Sequence, residues 1–160
     1  MPDKNWYERL VASIDAKDTP AFLSFLTEDA SFRYANAPPA VGQAAIGSAV
    51  DQFFAAIRSS SHRLLRRWEE PGSAACQGEV RYVRHDGRSV TLPFCNVFEL
   101  RGEKVARYEI YIDATPLFAP ERRFNRCAAA DRPRALPGSA RRPAPSRQPR
   151  GPAPPHRRDR

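Results

Sequence analysis

Residues 88–113 read Arg88-Ser-Val-Thr-Leu-Pro-Phe94-Cys-Asn96-Val-Phe98-Glu-Leu100, then Arg101-Gly-Glu-Lys104, then Val105-Ala-Arg-Tyr108-Glu-Ile-Tyr-Ile-Asp113. Two runs rich in β-branched and aromatic residues, joined by a short glycine-bearing connection, predict a β-hairpin. Side chains alternate across a strand. Val90, Leu92, Phe94, Asn96, Phe98 and Leu100 therefore share one face of the first run, and Ala106, Tyr108, Ile110 and Ile112 share one face of the second. Both faces are apolar except for the amide of Asn96 and the phenol of Tyr108. A buried polar group without a partner costs about 1–3 kcal/mol, so each is either satisfied by its neighbours or placed for a ligand. A binding surface is expected on that side.

Upstream of the hairpin, Trp6, Tyr7, Leu10, Val11 and Ile14 recur at helical spacing behind Asp3, which predicts an amphipathic helix over residues 3–16. Asp18-Thr-Pro20 is an N-cap signal for a short second helix, with Phe22, Phe25 and Leu26 on its apolar side and Thr27-Glu-Asp at its end. Residues 31–36 alternate as a strand with Phe32, Tyr34 and Asn36 on one side, and Pro38-Pro39 stops it. After a loop to Gly42, a third helix carries the stripe Ile46, Ala49, Val50, Phe53, Phe54 and Ile57. From Ser59 the period becomes two. His62, Leu64, Arg66 and Trp68 fall on one side of the next strand, and Pro71-Gly72 marks a turn. A strand over residues 74–85 follows, with Gly78, Val80 and Tyr82 opposite Glu79, Arg81 and Val83, and His85-Asp-Gly turns into the hairpin. The order predicts an α+β fold: a strongly curved, mainly antiparallel sheet closing as a cone-shaped barrel on three N-terminal helices, with a pocket at its centre.

The charge is unevenly placed. Twelve of the 26 basic residues but three of the 18 acids lie in residues 120–160, which leaves 14 bases against 15 acids before them. The net charge of +8 thus belongs to the C-terminal stretch, where nine of the 16 prolines also fall. With almost no large apolar residue after Phe124, residues 120–160 are expected to be a disordered Arg/Pro-rich tail on a domain spanning 1–119. A near-neutral domain gives no reason to expect specific nucleic-acid binding, and any polyanion affinity would reside in the tail. Cys76, Cys95 and Cys127 lack metal-ligand spacing and are odd in number, so neither a zinc site nor a disulfide framework is expected. No signal-like segment and no run of about 20 apolar residues is present. A cytoplasmic protein without membrane contact is the expectation.

Two segments carry a resemblance. Phe32-Arg-Tyr34-Ala-Asn36-Ala-Pro38-Pro39-Ala-Val-Gly42 is similar to the Tyr-x-Asn, proline-rich loop and glycine of limonene epoxide hydrolases. Tyr108-Glu-Ile-Tyr111-Ile-Asp113-Ala-Thr-Pro116-Leu117 resembles the last strand of SnoaL-like domains. Over residues 3–118 the chain thus resembles the nuclear-transport-factor-like superfamily, in its SnoaL-like and limonene epoxide hydrolase-like branch. That resemblance implies a small apolar, oxygenated ligand in the cone, no cofactor, and a homodimer through the outer sheet face. In the epoxide hydrolases Tyr and Asn help to hold a water that an Asp-Arg-Asp set activates; Tyr34 and Asn36 match the first pair, whereas the last-strand Asp position falls on Ile110 and the Arg-x-Asp of the middle strand falls on Glu79 and Arg81. Ketosteroid isomerases share the fold and use a pocket acid and a phenol, a part that Tyr34 or Tyr108 would fill. The alternation places no acid clearly on an inward face.

His62 is the candidate base, since histidine titrates near neutrality; the competing reading is a satisfied core or rim histidine. Tyr34 and Asn36 are candidate donors to substrate or water. Asp113 ends the last strand as either an orienting acid or a cap on the turn at Thr115-Pro116. Asn96, Tyr108, Trp68, Phe94, Tyr82 and Ile110 are expected to line the substrate site, with no metal. Together they predict a cofactor-free general acid–base isomerase, cyclase or hydrolase. The alternative is a domain of the same fold that binds a ligand or dimerises without chemistry.

Overall fold

A computed structural model describes residues 5–120. All of the expected tail 120–160 but its first residue, with Cys127, lies outside them, as does Asp3. Helices α1 (Trp6–Asp15), α2 (Thr19–Ser24) and α3 (Gln43–Ala56) and a terminal turn of helix α4 (Thr115–Phe118) accompany six strands. These are β1 (Leu26–Tyr34), β2 (Ala40–Val41), β3 (Ser59–Glu70), β4 (Ser73–Val83), β5 (Ser89–Arg101) and β6 (Lys104–Ile112). They form one sheet in the order β2-β1-β6-β5-β4-β3, antiparallel throughout except for the β1–β6 pair. The expected α+β architecture is present as an open, curled sheet packed against helices. No helix of the described residues is long and apolar enough to cross a membrane.

The hairpin that decides the fold is β5–β6. Leu92, Phe94, Asn96 and Phe98 are buried in alternation, as the period of two requires. On β6 the inward set is Val105 and Tyr108 rather than Ala106 and Tyr108. Glu99 pairs with Arg107 but Leu100 pairs with Val105, so Ala106 is an extra residue on β6 and the parity changes there. The second helix is shorter than its apolar pattern suggested. Leu26 pairs with Val105, and the Val105 N–H donates to the Phe25 carbonyl at 2.9 Å, so strand pairing takes over from helix at residue 26. Proline does not end the sheet at that point either: beyond Pro38-Pro39, Ala40–Val41 returns as β2 against β1.

A bulge in β3 redirects half of that strand. Leu64 pairs with Gly78 and Arg66 with Gln77, leaving Leu65 as the extra residue. Beyond it each side chain sits on the other face from that expected of strict alternation: Arg67 lies opposite buried Cys76, and Trp68 turns outward, 51% exposed. Gly78 faces this bulge. A Cβ there would stand 2.6 Å from the Arg63 carbonyl oxygen and 2.6 Å from the Phe94 ring. Gly78→Ala is therefore expected to destabilise the protein by about 1–3 kcal/mol through overpacking, read from urea unfolding midpoints. A change below about 0.5 kcal/mol, the usual limit for a surface substitution, would show that β3 shifts freely at its bulge.

The core is a band of rings between α1 and the sheet. Phe98 lies 4.4 Å from Tyr108, 5.1 Å from Trp6 and 5.8 Å from Tyr7 between ring centroids. The contacts with Trp6 and Tyr7 are edge-to-face and add to what burial alone contributes. At the other end of the fold, Phe22 packs on Phe32, Phe32 on Tyr108, and Phe53 on both Tyr34 and Tyr82. A cavity lies between these groups.

Candidate functional site

The cavity has a volume of about 220 Å³ and is walled mostly by hydrocarbon: Ile14 from α1, Phe22 from α2, Val50, Phe53 and Phe54 from α3, and Phe94, Ile110 and Ile112 from the sheet. Its polar wall groups are His62, Tyr34, Tyr82, Asn96 and Tyr108. Seven of the residues expected to form the site are thus brought together: His62, Tyr34, Asn96, Tyr108, Tyr82, Phe94 and Ile110. Three are not. Trp68 is carried outward by the Leu65 bulge. Asn36 stands past the end of β1, where Ala35 takes a left-handed φ of 51° and the chain turns away, so the alternation that placed Asn36 inward no longer applies and its side chain is exposed. Asp113 is exposed beyond β6 and accepts the Thr115 N–H at 3.0 Å. Hydrogen bonding from the Thr115 side chain, and then from this backbone N–H, holds its carboxyl below the ordinary range, and the residue shares a shallow outer depression with Trp68 and Tyr111.

The acid at the site is Asp15, which the sequence pattern does not single out. Its Oδ1 accepts from the Ser60 hydroxyl at 2.8 Å and stands 2.6 Å from His62 Nδ1, while Oδ2 accepts the His62 backbone N–H at 3.0 Å. Burial by itself would raise this carboxyl, but the bonds from His62 and Ser60 outweigh it and hold it below 3.8. A carboxylate at that distance keeps the imidazole proton on Nδ1, so Nε2 is the nitrogen with a lone pair in the neutral ring. One signal was available. Asp15 is the last residue of α1, where a negative charge opposes the helix dipole, so something outside the helix has to hold it there. The adjoining turn is fixed by Lys17, whose φ is 55° and whose ammonium caps the end of α3 on the Phe54 and Ile57 carbonyls at 2.8 and 2.5 Å.

Because the folded Asp15 carboxyl is depressed, its bonds stabilise the protein above pH 3.8 and are lost as pH falls through the lower folded value. The stability difference between wild type and Asp15→Asn is expected to be largest above about pH 4 and to close below it. Urea unfolding at stepped pH checks this; a difference that persists unchanged at about pH 2, below the usual carboxylate range, would assign it to packing instead of charge.

The phenols form two groups. The Tyr34 and Tyr82 hydroxyls are 3.4 Å apart and share one hydrogen bond, which leaves one of the two phenolic protons for another acceptor. Deeper in, Asn96 Nδ2 donates to the Tyr108 hydroxyl at 3.0 Å and to the Tyr7 hydroxyl at 3.4 Å. Asn96 and Tyr108, the polar pair noted on the hairpin, therefore satisfy each other in part. Burial raises all four phenols, and it pushes the Cys76 thiol beside Tyr7 up to about 12, so each stays protonated and able to donate at neutral pH. Among the described residues no group of three or more His, Cys, Asp or Glu could hold a metal ion.

A curled sheet and helices enclosing one apolar cavity place the chain among the nuclear-transport-factor-like folds. Within that class it belongs to the SnoaL-like domain family, whose model matches residues 7–108. No curated protein matches it in sequence. Solved structures show the same fold at low identity. A nuclear-transport-factor-like protein of unknown function from Burkholderia pseudomallei superposes with a TM-score of 0.64 at 16% identity over 69% of this chain and 90% of its own. TerC, crystallised with polyporic acid, gives 0.63 at 16% over 69% and 91%. A proposed polyketide cyclase from Xanthomonas campestris gives 0.61 at 18% over 69% and 90%.

Proposed function

We propose that this chain is a cofactor-free enzyme that moves protons on a small, apolar, oxygenated substrate, an isomerase or cyclase of SnoaL-like type. The observation that carries the reading is a histidine on the wall of an apolar cavity with a carboxylate 2.6 Å behind it. A structural histidine in the core has both ring nitrogens, one donor and one acceptor, satisfied by protein groups. Here the second nitrogen belongs to a ring that lines a cavity, which is the arrangement of a base held in one tautomer by an orienting acid.

In the proposed reaction His62 Nε2 takes a proton from a carbon next to a carbonyl. Asp15 stabilises the imidazolium that results, and the uncommitted proton of the Tyr34–Tyr82 pair is donated toward the enolate oxygen. Returning the proton from Nε2 to a different carbon completes an isomerisation. Attack of the enolate carbon on a second carbonyl of the same molecule completes a cyclisation, with the proton going to the new alkoxide. Epoxide hydrolysis has weaker support: Ile110 contributes a hydrocarbon wall, and Glu79 is engaged by Arg63 at 2.6 Å as an exposed cross-strand pair. The proposed polyketide cyclase among the structural neighbours is support by likeness of fold alone.

The test uses 2-tetralone, whose α-protons are acidic and whose two fused rings suit the cavity. Accelerated loss of the α-proton signals in deuterium oxide, followed by proton magnetic resonance, is the expected result. Binding without acceleration would favour the ligand-binding alternative. Ring opening of a small cyclic epoxide with uptake of labelled oxygen from water would favour the hydrolase.

A further inference from the structure

One buried atom of a residue on the cavity wall is unaccounted for by that chemistry. Asn96 is 2% exposed and lines the cavity. Both Nδ2 hydrogens are committed, to Tyr108 and Tyr7, and the Tyr7 hydroxyl is itself bonded to Cys76. Asn96 Oδ1 has no hydrogen-bond partner. The neighbouring inward positions on β5 are Leu92, Phe94 and Phe98, and a hydrocarbon at position 96 would fill the same wall without leaving a carbonyl oxygen unpaired. Such an oxygen is costly unless a donor arrives.

The volume limits what that donor can belong to. An apolar cavity of about 150 Å³ holds a single benzene ring, so about 220 Å³ suits one substituted ring or two fused rings. Four fused rings would not fit inside it. We infer that the cavity selects a compact one- or two-ring substrate bearing a hydroxyl group, whose O–H donates to Asn96 Oδ1. This rests on the reading of the cavity as a small-molecule site and names the substrate class for it. It also assigns Asn96 a role separate from that of His62: Asn96 sets which end of the substrate goes in first, and His62 acts on what remains.

Fluorescence titration of the full chain with 2-naphthol, 2-methoxynaphthalene and naphthalene tests it, since these differ in offering a donor, only an acceptor, or neither. Wild type is expected to bind 2-naphthol at least about tenfold more tightly than the other two, equivalent to ~1.4 kcal/mol. In Asn96→Leu the three should fall within about twofold of one another, and in His62→Ala the naphthol preference should survive. Equal binding of all three by wild type would mean that solvent serves Oδ1 and would overturn the inference. So would a preference that survives in Asn96→Leu, or one that disappears in His62→Ala, which would place the hydroxyl on the histidine. A 2-methoxynaphthalene affinity matching that of 2-naphthol would show that the amide presents its nitrogen to the cavity and would equally overturn it. If Asn96→Leu fails to fold, the wild-type and His62→Ala titrations decide the matter alone. The two readings fail separately: a naphthol preference without 2-tetralone exchange removes the enzyme, whereas exchange without the preference removes only the hydroxyl site.

Discussion

Replacing His62 by glutamine is expected to slow deuterium exchange at the α-carbon of 2-tetralone by about 10²–10⁴-fold, the usual contribution of a positioned general base. Glutamine approximates the size of the ring and can still bond to Asp15, so folding should survive while the lone pair on Nε2 is lost. Asp15→Asn should fall between this variant and wild type. It keeps a group that can bond to Nδ1 at the position now 2.6 Å away, but removes the charge that stabilises the imidazolium. Tyr82→Phe should also slow exchange, because it breaks the 3.4 Å phenol pair and removes a donor to the enolate oxygen. The pattern matters more than any one rate. Wild-type exchange in His62→Gln would put the base elsewhere, and unchanged exchange in Asp15→Asn with a slow His62→Gln would reduce Asp15 to a structural anchor for Ser60 and the start of β3.

Phe98→Ala is expected to cost about 3–5 kcal/mol, the range for removing a fully buried aromatic ring. Phe98 is 1% exposed and is the shared neighbour of Trp6, Tyr7 and Tyr108. Its removal leaves a void between α1 and the hairpin that three large rings cannot close without leaving their own contacts. For a domain of ordinary stability, about 5–15 kcal/mol, that is a large share of the total. Phe98→Leu, which keeps most of the volume, should be much milder. Urea unfolding of the three proteins measures both, and a cost for Phe98→Ala below about 1 kcal/mol, well under the usual range, would mean that the aromatic band repacks. The same cavity-forming change sits beside Tyr108 and so should weaken 2-naphthol binding as well.

Much of this was legible from residues 88–113 outward. The alternation on β5 placed Asn96 among Phe94 and Phe98 on the inward face, and the stripe on α3 placed Phe53 and Phe54 toward the sheet. These are local patterns: a residue's face derives from the period of its own element and needs no knowledge of partners. His62 could be singled out for the same reason, as the histidine of the domain that falls on an alternating strand and not in a turn.

What the tertiary structure alone decided lies where that local rule is interrupted or where two distant segments meet. Leu65 and Ala106 are extra residues only in relation to the strands they pair with, and each reverses the facing of the residues beyond it. Nothing in the composition of β3 marks Leu65 as the bulge, so alternation puts Trp68 inward whereas it stands outward. Asn36 is misplaced by alternation because the strand ends at Tyr34 by a backbone turn that its side-chain pattern does not show. The dyad was invisible for a further reason. Asp15 and His62 are 47 residues apart, on a helix end and a strand start, and periodicity assigns each a face without saying which faces meet. That meeting is a product of packing: burial of the ring band sets α1 against the sheet, and only then does a carboxylate that disfavours its own helix end find the imidazole that stabilises it.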